Sequence, residues 1–135
     1  MTKYLGLDIG TVRVGVSITD PSGSIAFPMS TFPFDVAIDE IAKVIEIEGI
    51  DQIVVGVPYK LSGKSGQSVE LVDSFLSKLL IEKSEITVHR VDERFTTSLA
   101  EKQLRSMNRS ASKSRDIIDQ LAAVNILQTF LDSLR

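Results

Sequence analysis

Three acidic stations, far apart in the chain, carry the residue types that metal-assisted phosphoryl chemistry uses. The first is Asp8, in Tyr4-Leu5-Gly6-Leu7-Asp8-Ile9-Gly10-Thr11-Val12-Arg13-Val14-Gly15-Val16-Ser17. An apolar run ends in an acid, a glycine turn follows, and a second apolar run begins. A charged group among apolar neighbours is costly unless it is paired or binds a metal. The second station is Val91-Asp92-Glu93-Arg94-Phe95-Thr96-Thr97. Successive strand residues point to opposite faces, so only one of Asp92 and Glu93 can join Asp8 directly. The third is Arg115-Asp116-Ile117-Ile118-Asp119-Gln120-Leu121-Ala122-Ala123. Asp116 and Asp119 share one helical face, and Asp119 stands amid Ile118, Leu121 and Ala122, where a solvated acid would be out of place.

Carboxylates from three segments, brought to one place, offer Mg²⁺ or Mn²⁺ hard oxygen ligands and leave open positions for water and phosphate. Two such ions, roughly 4 Å apart, stabilise the attacking and leaving oxygens of phosphodiester cleavage. This chemistry needs no histidine dyad, and the single histidine, His89, lies within a strand pattern and reads as structural. Each acid also has an ordinary role open to it: Asp8 as a turn cap, Asp92-Glu93 as a charged strand end, Asp116 and Asp119 as complements to a helix N-terminus.

A fourth station is the loop Gly56–Gly66, which carries Lys60 and Lys64 and runs into a helix N-terminus. Backbone N–H groups and two lysines there make an anion site. Gly63-Lys64-Ser65 resembles the end of a Walker motif, but the upstream glycine that motif requires is replaced by Pro58.

These stations are positioned by an alternation of strands and helices. A hairpin is predicted from strand Lys3–Ile9, a turn around Gly10–Val12 and strand Arg13–Thr19. A third strand, Ser24–Phe32, follows the turn Asp20-Pro21-Ser22-Gly23. Val36, Ile38, Ile41, Ala42 and Ile45 then recur at helical spacing, with Asp35 as N-cap and Gly49 as stop. Gln52–Val57 is a nearly all-apolar strand, as suits a central parallel one. A second helix spans about Gln67–Leu80, and a fifth strand Ile86–Val91. A third helix starts near Thr96–Ser98, with Ser98 and Glu101 at capping-box spacing. After a polar link, Ser106–Ser114, a last helix spans about Arg115–Ser133, where the small Ala122 and Ala123 allow close approach to the sheet. The expected fold is α/β: a mixed five-stranded sheet, three strands of antiparallel meander plus two parallel strands, covered by helices on both faces. Ligands of such sheets sit beyond the carboxyl ends of the parallel strands, the edge on which Asp8, Val57-Pro58 and Asp92-Glu93 converge as three strand ends.

At 135 residues the chain reads as one domain, 1–135, large enough to bury a core. The absence of cysteine removes disulfides and thiolate chemistry from consideration. No apolar run approaches the roughly 18 residues that span a bilayer, and no signal peptide is visible, so the cytoplasm is the default compartment. The net charge of −3 is not that of an obvious nucleic-acid binder, but the distribution is uneven. Met1–Tyr59 has three basic residues against eight acidic, whereas Lys102–Arg115 has five basic (Lys102, Arg105, Arg109, Lys113, Arg115) and no acid.

Taken together, Leu7-Asp8-Ile9-Gly10 with Arg13, Gly15 and Ser17, Gly56-Val57-Pro58 with Gly63, Asp92-Glu93-Arg94 with Thr96-Thr97, and Asp119 with Ala122-Ala123 resemble the YqgF family. Its members are assigned to Holliday-junction resolution and to pre-16S rRNA nuclease work. The resemblance covers essentially the whole chain and implies a ribonuclease-H-like fold. It implies Asp8, Glu93 and Asp119 as catalytic, metal-binding carboxylates for Mg²⁺ or Mn²⁺. It implies nucleic-acid contacts from Arg13, Arg94 and the basic link before the last helix, including Lys113; Arg109 and Arg115 of the same basic run, and Lys60 and Lys64 of the anion loop, are further candidate contacts. One departure is Lys60, where the family usually has asparagine. The expected reaction is in-line attack of an activated water, leaving a 3′-hydroxyl and a 5′-phosphate, on an rRNA precursor or on branched DNA. Symmetric cutting of a DNA junction would call for a homodimer. Two other readings remain open at this level. One is a non-catalytic nucleic-acid module of the same fold. The other is an actin- or sugar-kinase-like ATPase, suggested by Asp8-Ile9-Gly10-Thr11 but lacking a second domain and a second phosphate hairpin.

Overall fold

The computed structural model describes residues 2–58, 67–93 and 112–134. Along the chain it shows β1 (Tyr4–Ile9), β2 (Arg13–Thr19), β3 (Ala26–Pro33), α1 (Phe34–Glu48), β4 (Gln52–Val57), α2 (Gln67–Glu82), β5 (Thr87–Asp92) and α3 (Ser112–Ser133). The five strands form one sheet in the order β3-β2-β1-β4-β5. β1 pairs antiparallel with β2, and β2 with β3, while β4 runs parallel to both β1 and β5. The expected mixed sheet is therefore present. The helix expected near Thr96–Ser98 lies outside the described residues.

Strand alternation divides each strand's residues between two faces. Leu5, Leu7, Ile9, Val14, Val16, Ile53, Val55 and Val57 pack against Ala37, Ile41 and Ile45 of α1 and Val72, Phe75 and Leu79 of α2. The opposite face receives α3, whose Ile126, Leu127 and Leu131 cluster with Val54 and Ala26. Gly6, Asp8, Gly15, Ser17 and Gly56 alternate with the first set and so lie on this second face.

Three local differences from the sequence expectation have physical causes. The third strand begins at Ala26 rather than Ser24, because Asp20 Oδ1 accepts the N–H groups of Ser24 and Ile25 and holds both in the turn. The N-cap position of α1 is Pro33, without a side-chain cap, rather than Asp35. The N–H of Phe34 instead bonds the carbonyl of Val12 at 2.9 Å, which ties the start of α1 to the β1–β2 turn. Asp35 sits in the first helical turn, where it complements the helix dipole. The last helix begins at Ser112, so Ser112–Ser114 are helical rather than part of a link. At the other end of α1, Gly49 takes the left-handed conformation (φ 67°) expected of a stop.

Candidate active site

The site is built where three glycines let α3 settle onto the sheet. A Cβ on Gly6 would meet Leu127 Cβ at 2.8 Å and the carbonyl of Ala123 at 3.0 Å. One on Gly15 would collide with the backbone carbonyl of Asp119. One on Gly56 would lie 2.5 Å from Ile126 Cδ1 and 2.6 Å from Glu93 Oε1. Ala122 and Ala123 are fully buried from the helix side. Ser17 completes the docking, its hydroxyl donating to the Ala123 carbonyl at 2.8 Å in a buried position.

This close approach carries the acids inward. Asp8, Glu93 and Asp119 are 3%, 1% and 3% exposed. Asp8 stands opposite Gly15 in the β1–β2 register, and Gly15 is the residue on which the Asp119 backbone rests. Leu7 pairs with Val55, which sets Gly56 beside Asp8 on the neighbouring strand, and the Glu93 carboxylate lies against Gly56. All three acids thus lie at the carboxyl ends of the parallel strands, on the α3 face. Glu93, rather than half-buried Asp92, is the acid of its pair that turns in.

Asp119 belongs to the buried stripe Asp119, Ala122, Ala123, Ile126, Leu127 of α3. Of the neighbours first used to argue its burial, Ala122 belongs to this stripe, whereas Ile118 is half-buried and Leu121 is 43% exposed. Its Oδ2 accepts a hydrogen bond from Arg13 Nε at 2.7 Å, an ion pair across 106 residues of chain. Arg13 opens β2, and its carbonyl accepts the Gly10 N–H at 3.0 Å. Asp8, Gly10, Thr11, Val12, Arg13 and Asp119 line one cavity of about 110 Å³. That is room for a few waters or a hydrated ion, at roughly 30 Å³ per water. A larger groove of about 510 Å³ lies at the other end of the sheet, before β4 and β5, among Glu46, Asp51, Glu82, Lys83 and Glu85. It is the wrong end for a ligand of the strand-end acids.

The donor set suits a divalent cation such as Mg²⁺ or Mn²⁺: hard carboxylate oxygens, buried, in a cradle that glycines keep open. Among the described residues, however, no three acidic or histidine side chains are gathered as ligands in their present positions. Arg13 compensates the charge of the Asp119 carboxylate through its ion pair.

Of the other residues considered, His89 is structural as expected. Its Nε2 is 2.7 Å from Gln52 Oε1 and its ring lies 4.5 Å from that of Phe130. Lys60, Lys64, Arg94 and Arg109 lie outside the described residues. Lys113, Arg115 and Asp116 are placed on the first turns of α3 by their backbone. Thr11 and Val12 in the cavity wall, and Gly6 and Gly56 beneath α3, were not singled out as site residues. Glycine inside a strand pattern is the signal that marks the latter two.

The mixed sheet with α3 laid across one face is a ribonuclease-H-like fold. A solved structure described as Thermus thermophilus RuvC in complex with Holliday junction substrate superposes with a TM-score of 0.60 at 11% identity, covering 99% of this chain and 96% of that one. Residues 2–133 match the family described as "RuvX: Holliday junction resolvase", and the chain belongs to that family of nucleases. It is 39% identical to a "Putative pre-16S rRNA nuclease" of Mycobacteroides abscessus, covering 98% of this chain and 82% of the relative. It is 40% identical to a protein of the same description from Sulfurihydrogenibium sp., covering 99% and 92%. The corresponding Fusobacterium nucleatum protein is 36% identical, covering 98% of each chain. Among the described residues, no helix is long and apolar enough to cross a membrane.

Proposed function

We propose that the chain is a metal-dependent endonuclease that cuts a precursor of 16S ribosomal RNA in the cytoplasm. In this reading the 135 residues form one nuclease domain, and Asp8, Glu93 and Asp119 are its catalytic, metal-binding carboxylates. The observation that carries the reading is the burial of these three acids, from three distant segments, on one face at one edge of the sheet. Relatives at 36–40% identity, matched over 82–98% of their own length and described as "Putative pre-16S rRNA nuclease", support the choice of substrate.

In this mechanism, the carboxylates of Asp8, Glu93 and Asp119 would hold Mg²⁺ or Mn²⁺. A bound cation there supplies positive charge at the scissile phosphate and lowers the pKa of water. Asp8 anchors the site from the rigid end of a central strand. Asp119 and Glu93 approach it from a helix and from a neighbouring strand, so the site exists only while α3 is docked. Burial keeps these carboxylates from bulk water and strengthens their interaction with any cation. The substrate backbone would be met by Arg13, Lys60, Lys64, Arg94, Arg109, Lys113 and Arg115, through contacts that weaken as salt rises.

A second reading, resolution of branched DNA, is favoured by the description of the family itself. It requires a homodimer for paired cuts. The test is incubation with Mg²⁺ or Mn²⁺ and two labelled substrates, an RNA bearing a 16S precursor end and a four-way DNA junction, with Asp8→Asn as control. Cleavage of the RNA alone is expected. Paired symmetric nicks in the junction would select the second reading. Binding of both without cleavage under either metal would overturn the nuclease assignment.

A further inference from the structure

Arg13 occupies an unusual position for a residue expected to meet a nucleic-acid backbone. Its Nε donates to Asp119 Oδ2 at 2.7 Å, and the Asp119 side chain is only 5% exposed while that of Arg13 is 26% exposed. The arginine and both aspartates, Asp8 and Asp119, line the same cavity of about 110 Å³. A guanidinium and a divalent cation are alternatives for the same carboxylate oxygen, because each compensates its charge in a site poor in water. The arginine backbone is fixed by the turn after Asp8, through the Gly10 N–H on its carbonyl. Its side chain is long enough to swing while its Cα stays in place.

We propose that Arg13 is the built-in counter-cation of the metal-free site, displaced from Asp119 when a divalent ion binds. Before metal arrives, the ion pair compensates the Asp119 carboxylate and ties α3 to the start of β2, over Gly15. When an ion draws Asp119 toward Asp8, the guanidinium is released at the half-exposed rim of the cavity. There its planar fork suits a phosphate of the substrate backbone. Arg13 is thus a positioning residue that exchanges a carboxylate for a phosphate. Metal binding is coupled to nucleic-acid binding through it, and by linkage each ligand strengthens the other. The inference rests on the metal-dependent reading above.

Calorimetric titration of Mn²⁺ and Mg²⁺ into wild type, Arg13→Gln, Asp119→Asn and the double variant tests it, with thermal melts in chelator and in saturating metal. Removing the competitor is expected to tighten metal binding by about fivefold or more, a typical coupling between linked sites. Arg13→Gln is expected to melt lower than wild type in chelator and to gain more from metal. In the Asp119→Asn background the substitution is expected to have no effect on metal affinity. An unchanged or weakened metal affinity in Arg13→Gln would overturn the proposal while leaving metal dependence intact. Failure of the wild type to bind either ion would overturn both. If Arg13→Gln does not fold, the Nε–H resonance of Arg13 in the wild-type protein serves instead. It should move as Mg²⁺ saturates the site, and a stationary resonance under saturating Mg²⁺ overturns the exchange.

Discussion

The two faces of the sheet are made by alternate residues of the same strands, yet they differ in kind. On the α1/α2 side, β1 contributes Leu5 and Leu7, β2 Val14 and Val16, and β4 Ile53 and Val55, all fully buried. On the α3 side the same strands contribute Gly6 and Asp8, Gly15 and Ser17, and Gly56. The first face is filled by side-chain volume. The second is filled by a helix brought so close that backbone meets backbone, with buried carboxylates where apolar side chains would pack. One face holds the fold together so that the other can carry charges that do not stabilise it.

Substitutions on the two faces should therefore separate stability from activity. Asp8→Asn is expected to lower cleavage by at least about a hundredfold, the scale of removing one group aimed at transition-state charge. Its urea midpoint should match or exceed that of wild type, since a buried charge is removed. Leu7→Ala, one residue away on the opposite face, should cost about 2–5 kcal/mol of stability by transfer and cavity terms. Cleavage per folded molecule, measured well below its melting temperature, should be retained. Gly15→Ala should do both. Its Cβ meets the Asp119 backbone rather than a flexible side chain, so α3 must shift, at about 1–3 kcal/mol. Activity should fall with it because Asp119 moves. Equal activity losses in Leu7→Ala and Gly15→Ala would break the division between the faces.

The smallest effect belongs to neither face. Asp20, in the β2–β3 turn, is held below the ordinary aspartate pKa of 3.8 by the Ser22 hydroxyl and then by the Ile25 and Ser24 N–H groups. A carboxyl whose folded pKa is depressed contributes stability above its unfolded pKa and loses it as pH falls through the folded one. Asp20→Ala should therefore lower the urea midpoint slightly above the ordinary aspartate pKa, and the difference should fade as pH falls through the depressed folded-state pKa. The carboxyl is fully exposed, so the difference should be small against either face's substitutions.

Much of this architecture was legible in the chain. Apolar runs bounded by turn residues located all five strands to within one or two residues at their ends. Asp119 was legible as a buried acid through Ala122 but not through Ile118 and Leu121: the stripe that buries it is Ala122, Ala123, Ile126 and Leu127, three, four, seven and eight residues on. The ion pair between Arg13 and Asp119 was not legible, since a strand start and a helix 106 residues apart share no local pattern. Nor was the role of Gly6 and Gly56. A glycine in a strand signals that something comes near, and only the assembled fold says that it is α3 and Glu93. The cap of α1 misled for a similar reason. Aspartate is a favoured cap, but the Val12 carbonyl, from another element, already served the first N–H.

The most direct test of the site is a crystal of the wild-type protein soaked in Mn²⁺, with anomalous difference density calculated at the manganese edge. The expected result is a peak in the cavity between Asp8 and Asp119, with the Glu93 carboxylate among its ligands. No peak there at saturating Mn²⁺, or a peak only in the acidic groove beside Glu46, Asp51 and Glu82, would contradict the assignment of these three carboxylates to one catalytic centre.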